Sequence, residues 1–210
     1  MKDSQRVLQY LPVILLMSCS TLLCYFYYNA FAPLLSILGA EFGFNEEERD
    51  YYLGMSGLYG LVLGSQLNSI FFIVGCPCSL VISYIADSIS RKFVFLAITF
   101  ACHLSALVYL FFSSYTVLFV WRGISGALII SCLPIFVSVL SDVFPSHLRS
   151  VASVISSVVV GCGMLVGQTL SGFVSVRFGW RVFFRIVAVS GCFVASLLSC
   201  IVNDCGSLIV

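Results

Sequence analysis

Four polar side chains lie inside long apolar stretches, where few groups are able to bind a solute or carry a proton. These side chains are Asn29, His103, Arg122 and Gln168. An ionisable group within hydrocarbon costs roughly 2.5–3.5 kcal/mol on insertion scales, so it normally faces a cavity or a partner. Arg122 is therefore a candidate for a functional contact. The alternative is a structural arginine that bonds to backbone carbonyls of neighbouring helices.

The other three side chains also have two interpretations each. The unperturbed pKa of histidine is about 6.5, which suits a proton carrier, so His103 is a candidate for coupling. A lone histidine in an apolar helix more often makes an interhelical hydrogen bond. Asn29 and Gln168 can likewise serve helix packing, because amides hydrogen-bond across helices in membranes.

A second group of charged residues is confined to two short polar breaks. Residues 83–92 (SYIADSISRK) and 141–149 (SDVFPSHLR) contain these charges, at Asp87, Arg91, Lys92, Asp142 and Arg149. Carboxylates and cations at helix ends can pair with each other and with the helix dipoles, which favours one of two packings. The alternative is that the cations only set the orientation of the chain in a membrane.

No metal centre or enzyme site is indicated by the remaining residues. Nearly all of the ten cysteines lie in apolar runs, where cysteine behaves as a small hydrophobic residue. We find no Ser/His/Asp set, metal-ligand spacing or phosphate loop in the sequence. We therefore expect no catalytic residue, no metal and no cofactor. The net charge of +1, without a basic stripe, argues against nucleic acid as a partner.

The elements that position these residues are predicted from composition. Of the 210 residues, 60% are hydrophobic and 9% are charged, whereas a soluble domain has about 25% charged residues. A helix needs about 20 apolar residues to cross the hydrocarbon core. Charged residues divide the chain into six apolar segments, at about 7–38, 66–86, 93–112, 117–140, 151–174 and 182–202. The predicted fold class is an all-α integral membrane protein with six transmembrane helices.

The first segment and the loop after it have their own features. The segment is too long for a signal peptide and for one straight crossing, and Asn29 with Pro33 predicts a kinked or broken outer end. Residues 41–64 form an extended first outer loop with an acidic run at 46–50. Lysine and arginine are in excess in the segments on the same side as the amino terminus, which predicts that this side is cytoplasmic. These inner cations are Lys2, Arg6, Arg91, Lys92 and Arg149. Arg177 and Arg181, on the other side, break this pattern.

The polar breaks resemble motifs of the major facilitator superfamily. Residues 83–92 resemble its signature between helices 2 and 3, G-x-L-x-D-R-x-G-R-R/K, with serine replacing both glycines and the first basic residue. Residues 122–126 (RGISG) and 141–149 resemble its helix 4 motif and the loop after it. Residues 161–172 (GCGMLVGQTLSG) resemble its glycine-rich helix 5 motif, and 179–181 (GWR) resemble the start of its helix 6.

This resemblance implies the amino-terminal half of a twelve-helix carrier, built as two three-helix repeats. It implies that the charges of the polar breaks latch two halves together, and that Arg122 contacts substrate or couples protons. Helices 1, 4 and 5 line the cavity in this superfamily, so Asn29 and Gln168 become candidates for lining it. Small residues let helices approach closely, and three glycines form a stripe of small residues at Gly163, Gly167 and Gly172. The resemblance implies that this stripe packs against the other half of the carrier.

The function predicted is transport of a small organic or lipid-like solute by alternating access, with a site at the midplane. Within the superfamily, the sequence most resembles spinster-like and related organic-solute carriers. We expect a multi-pass membrane protein, a fragment of a longer carrier, whose partners are the solute, membrane lipid and a missing carboxyl-terminal half or second half-carrier. The alternative is a non-transporting pseudo-carrier or a membrane assembly or interaction protein that keeps the fold.

Overall fold

A computed structural model describes residues 2–45, 66–111 and 114–204, and every regular element in these ranges is helical. Six stretches of these helices are long and apolar enough to cross a membrane, and α1 and α2 together contribute one of them. The predicted all-α class with six spanning helices is confirmed. The elements are α1 (Lys2–Asn29), α2 (Phe31–Glu41), α3 (Gln66–Ser88), α4 (Arg91–Phe111), α5 (Tyr115–Val143), a 3-10 turn (Ser146–Leu148), α6 (Arg149–Phe178) and α7 (Trp180–Asp204).

Two helix ends follow directly from local sequence. α5 ends at Val143 because the next residue, Phe144, precedes Pro145 and adopts an extended conformation with φ −81° and ψ 133°. α6 ends at Phe178 because Gly179 has φ +85°, which residues with a side chain rarely adopt. Several helices extend a few residues beyond the predicted apolar segments, since backbone hydrogen bonding continues into polar ends.

The first span is broken in its carboxyl-terminal third. α1 and α2 are separated at Ala30, and Pro33 has no N–H to donate to the carbonyl of Asn29 four residues earlier. The break predicted at this point is therefore present. Most of the predicted outer loop, residues 46–64, lies outside the described residues.

The helices pack in a pattern that is symmetric between two three-helix units. The most extensive contacts are α3 with α5, α1 with α6, and α4 with α7. If the unit α1/α2–α3–α4 is exchanged with the unit α5–α6–α7, then α1 takes the place of α5, α3 that of α6 and α4 that of α7. The α3–α5 contact then becomes the α1–α6 contact, and the α4–α7 contact stays the same. This symmetry is expected of two structural repeats related by a pseudo-two-fold axis.

Burial is unequal among the six spans. In the span windows of α3 and α6 only 22% of residues are buried, compared with 50–56% in α1, α4 and α5. Large apolar side chains such as Ile73 and Leu80 on α3, and Leu165 and Phe173 on α6, are exposed. We call the exposed surfaces of these two helices the open faces.

Candidate functional site

One arginine connects three helices at the end of the bundle where α3 meets α4, which we call the Asp87 end. Arg91 Nε lies 2.9 Å from Asp87 Oδ1, and its Nη1 lies 2.7 Å from Asp142 Oδ2. Asp87 is in the last turn of α3, Arg91 begins α4, and Asp142 is near the end of α5. The structure therefore brings together three of the five predicted end charges, and its single guanidinium bridges both repeats.

The other two predicted end charges line a cleft at the same place. This cleft has a volume of about 850 Å³ and is bordered by Tyr10, by the turn between α3 and α4, and by the segment joining α5 to α6. Lys92 and Arg149 both line it. All five residues thus lie at one end of the bundle.

Arg122 is enclosed within the bundle and is 1% exposed. Its Nη2 donates a hydrogen bond of 3.1 Å to the carbonyl of Tyr28. That carbonyl lies in the last turn of α1, where the helix break leaves acceptors without intrahelical donors. The guanidinium carbon also lies 4.2 Å from the ring centroid of Phe31 and 4.6 Å from that of Phe71. Arg122 therefore bonds to a backbone carbonyl of a neighbouring helix, which was the structural alternative. The ring of Tyr28 is the third aromatic ring near its guanidinium group.

The two amides meet at the crossing of α1 with α6. Asn29 Nδ2 donates to the carbonyl of Met164 at 3.0 Å and to Gln168 Oε1 at 3.2 Å. Asn29 is half-buried, whereas Gln168 is exposed on the open face of α6. The pair therefore joins two helices and still presents an amide to the surroundings.

His103 lies in a different place, between α1, α4 and α7. Its ring is fully buried, and its Nε2 is 3.9 Å from the sulfur of Cys24. The ring packs closely against Gly191, where an added Cβ would lie only 2.1 Å from it. These are interhelical packing contacts, and neither Asn29 nor Gln168 takes part in them.

The glycine stripe of α6 faces α1 and α2 of the same chain. A Cβ at Gly163 would lie 2.6 Å from the carbonyl oxygen of Leu22, and one at Gly167 would lie 2.3 Å from that of Phe26. Gly172 faces the side chain of Pro33, with a Cβ distance of 3.5 Å. The implication that this stripe packs against another half is wrong, because α1 and α2 already occupy it.

A contact at the opposite end of the bundle was not foreseen. Glu41, the last residue of α2, accepts hydrogen bonds from Trp180 Nε1 and from Arg181 Nη2, the latter at 2.7 Å. The two partners begin α7, and Trp180 is buried. Residues 179–181 were recognised as a motif, but their partner lies some 140 residues earlier in the chain. The pairing also gives a local counter-charge to Arg181, one of the two cations that break the orientation pattern.

Six apolar helices in two repeats, with charges at the bundle ends and an enclosed arginine, define a multi-pass membrane protein of the transporter class. Residues 17–204 match the family model described as Major Facilitator Superfamily, and the chain belongs to this family. No curated protein gives a significant match to the chain. Members of the family are typically transporters rather than enzymes, and a membrane transporter binds a small-molecule substrate and lipid.

Proposed function

We propose that this chain is half of a secondary carrier that moves a small organic or lipid-like solute by alternating access. The observation that supports this proposal most is the exposed amide of Gln168 on the open face of α6. It is hydrogen-bonded to Asn29, and Leu165, one turn earlier on the helix, is an exposed apolar side chain. A few polar groups on an otherwise apolar surface are typical of solute sites enclosed between two bundles.

The proposed partner is a second bundle that covers the open faces. It is either the carboxyl-terminal half of a longer chain or a separate half-carrier. Apolar faces alone would be compatible with lipid, because lipid tails are as apolar as leucine. An exposed amide pair is not satisfied by lipid tails, and this favours a protein or solute partner at Gln168.

The ion pairs of Arg91 are proposed to favour one of two packings of the carrier. Both carboxylates are partly exposed, with side-chain exposures of 63% for Asp87 and 52% for Asp142. Such pairs contribute little individually, so a small movement of α3 and α4 relative to α5 can break the pair of Arg91 with Asp142. We further propose that the Asp87 end is cytoplasmic and that the solute is of the kind moved by spinster-like and related carriers.

The second candidate function is that of a pseudo-carrier or a membrane assembly protein. The enclosure of Arg122 favours it, because this arginine is held by a backbone carbonyl and aromatic rings rather than presented to a cavity. This candidate predicts a protein that assembles in the membrane but moves no solute.

Uptake into proteoliposomes distinguishes the two candidates. The assembled carrier would be assayed with radiolabelled carboxylates, amino acids, sugars and lysophospholipids. We expect uptake of one class, and about 10-fold slower uptake of it by Gln168→Leu, because the variant keeps the size of the side chain but loses the amide. Thr169→Val, at the next exposed position of α6, is the matched control and should leave uptake unchanged. No uptake of any class by the wild-type assembly would support the pseudo-carrier, and normal uptake by Gln168→Leu would remove the amide pair from the site.

A further inference from the structure

The interior around Arg122 contains hydrogen-bond donors that lack acceptors. Its Nη2 donates to Tyr28, but its Nε and Nη1 have no hydrogen-bond partner among the described residues. The hydroxyls of Tyr27 and Tyr109 are also buried and also lack a partner there. An arginine nitrogen can only donate, whereas a protonated phenol donates its O–H and its oxygen can also accept. Nε and Nη1 of Arg122 carry three N–H groups, so the region has more donors than acceptors even if both phenol oxygens accept.

These donors belong to one cluster. The rings of Tyr27 and Tyr109 pack against the ring of Phe31, with centroid separations of 6.2 Å and 5.6 Å. The guanidinium carbon of Arg122 lies 4.2 Å from the centroid of that same ring. The ring centroids of the two tyrosines are 6.3 Å apart. The cluster joins α1, α4 and α5, and so it spans both repeats.

The three carboxylates whose side chains the structure describes are all paired away from Arg122. Glu41 is bound to Trp180 and Arg181 at one end of the bundle, and Asp87 and Asp142 are bound to Arg91 at the other. Aromatic faces attract a cation, but they do not replace a lone-pair acceptor for its remaining N–H groups. Buried polar groups are nearly always hydrogen-bonded, so a cluster of unpaired buried donors needs a specific explanation, and an ion is one of those that are known.

We propose that Arg122, Tyr27 and Tyr109 together bind one small monovalent anion of the halide class. A negative ion satisfies the donors and also balances the charge, which a water molecule does not. The surroundings favour a small and easily dehydrated ion, because aromatic rings cannot replace the hydration shell of sulfate or phosphate. The cleft of about 850 Å³ lies at the Asp87 end, away from this cluster.

Binding of such an anion is measurable without any transport. A ligand that binds only the folded protein raises its stability in proportion to ln(1 + [L]/Kd). The 210-residue chain, purified in uncharged detergent, would be unfolded by heat while sodium chloride replaces sodium gluconate at constant ionic strength. We expect chloride and bromide to raise the unfolding midpoint by several degrees in a saturable manner. Sodium sulfate at equal ionic strength should give only the non-saturating rise of an excluded salt, and that rise should be the same in Tyr109→Phe.

Variants assign the effect to the cluster. Tyr109→Phe and Tyr27→Phe keep the ring and lose one donor, so each should raise the half-saturating chloride concentration about 10-fold. Tyr84→Phe is the control, because Tyr84 is 76% exposed on α3 and should leave the chloride response unchanged. Arg122→Gln should abolish the response. If Arg122→Gln does not fold, the two tyrosine variants still decide the question.

Three results would overturn the proposal. The first is an equal midpoint in chloride and gluconate. The second is an unchanged chloride response in both tyrosine variants. The third is a change of the unfolding midpoint in Tyr109→Phe that has the same size in every salt. The group that Tyr109 binds would then be water rather than an anion. The proposed carrier activity is tested separately: a chloride response without any uptake would defeat that activity alone, and uptake without a chloride response would defeat only the anion site.

Discussion

At the scale of single residues, cations in this bundle are stabilised in two different ways. At the ends, Arg91 and Arg181 pair with carboxylates on other helices. Inside, Arg122 relies on a backbone carbonyl at a helix break and on aromatic rings. Partly exposed ion pairs contribute about 0–1 kcal/mol, whereas a buried donor that loses its acceptor costs about 1–3 kcal/mol. The importance of a carboxylate therefore depends on what its removal leaves unpaired.

This difference predicts that Glu41 matters more for stability than Asp87. Glu41→Ala leaves the N–H of the buried Trp180 indole without its acceptor, so we expect a loss of about 1–2 kcal/mol. Asp87→Ala should cost less than about 1 kcal/mol, because Arg91 keeps its bond to Asp142. Thermal unfolding followed by tryptophan fluorescence in detergent measures both. Equal losses in the two variants would show that the contact of Glu41 with α7 has no special weight.

At the scale of helices, glycines set how closely the two repeats approach. Gly167 of α6 lies against the backbone of Phe26 in α1, and Gly126 of α5 lies against the backbone of Phe71 in α3. An added Cβ would lie 2.3 Å from the carbonyl oxygen in both cases. These two crossings are equivalent under exchange of the repeats. Backbone cannot move aside as a flexible side chain can, so a side chain at either position must push the helices apart.

Alanine at these crossings should therefore destabilise the bundle. We expect Gly167→Ala to lower stability by about 1–3 kcal/mol through overpacking. Gly161→Ala is the matched control on the same helix, because a Cβ there meets nothing within 4 Å. It should be neutral or stabilising by up to about 1 kcal/mol, since alanine has the higher helix propensity. The free energy of unfolding in detergent measures both changes. A stable Gly167→Ala variant would mean that α1 and α6 do not cross at this distance.

The helices were predictable because their signals are local, whereas their partners were not. Apolar segments divided by charges predicted the six spans, and Pro33 predicted the break in the first. The motif that begins α7 gave no indication of Glu41, which lies far away in the chain. The glycines of α6 were recognised as a close-packing stripe, yet only the three-dimensional arrangement identifies α1 as the helix that they meet. Tyr27 and Tyr109 were missed because tyrosine in an apolar helix reads as ordinary core.

At the scale of the whole molecule, the six spans differ in how much of each is buried within the bundle. α1, α4 and α5 bury about half of their span windows, and α7 buries 39%, while α3 and α6 bury only 22%. α7 also exposes large apolar side chains, including Val189 and Phe193. Lipid satisfies such a surface without any protein. What distinguishes the open face of α6 is the exposed Gln168, which lies next to the crossing with α1.

If a second bundle covers α6, its open face should be protected from lipid while the face of α7 is not. A lipid-soluble carbene reagent labels side chains in contact with lipid whatever their chemistry, and mass spectrometry locates the label. We expect label on Leu165 and Phe173 of α6 to be several-fold lower in the native membrane than in the 210-residue chain purified alone. Label on Val189 and Phe193 of α7 should be equal in the two samples and serves as the internal control. Equal labelling of α6 and α7 in the native membrane would mean that lipid covers both helices, and the proposed second bundle would be excluded from this face.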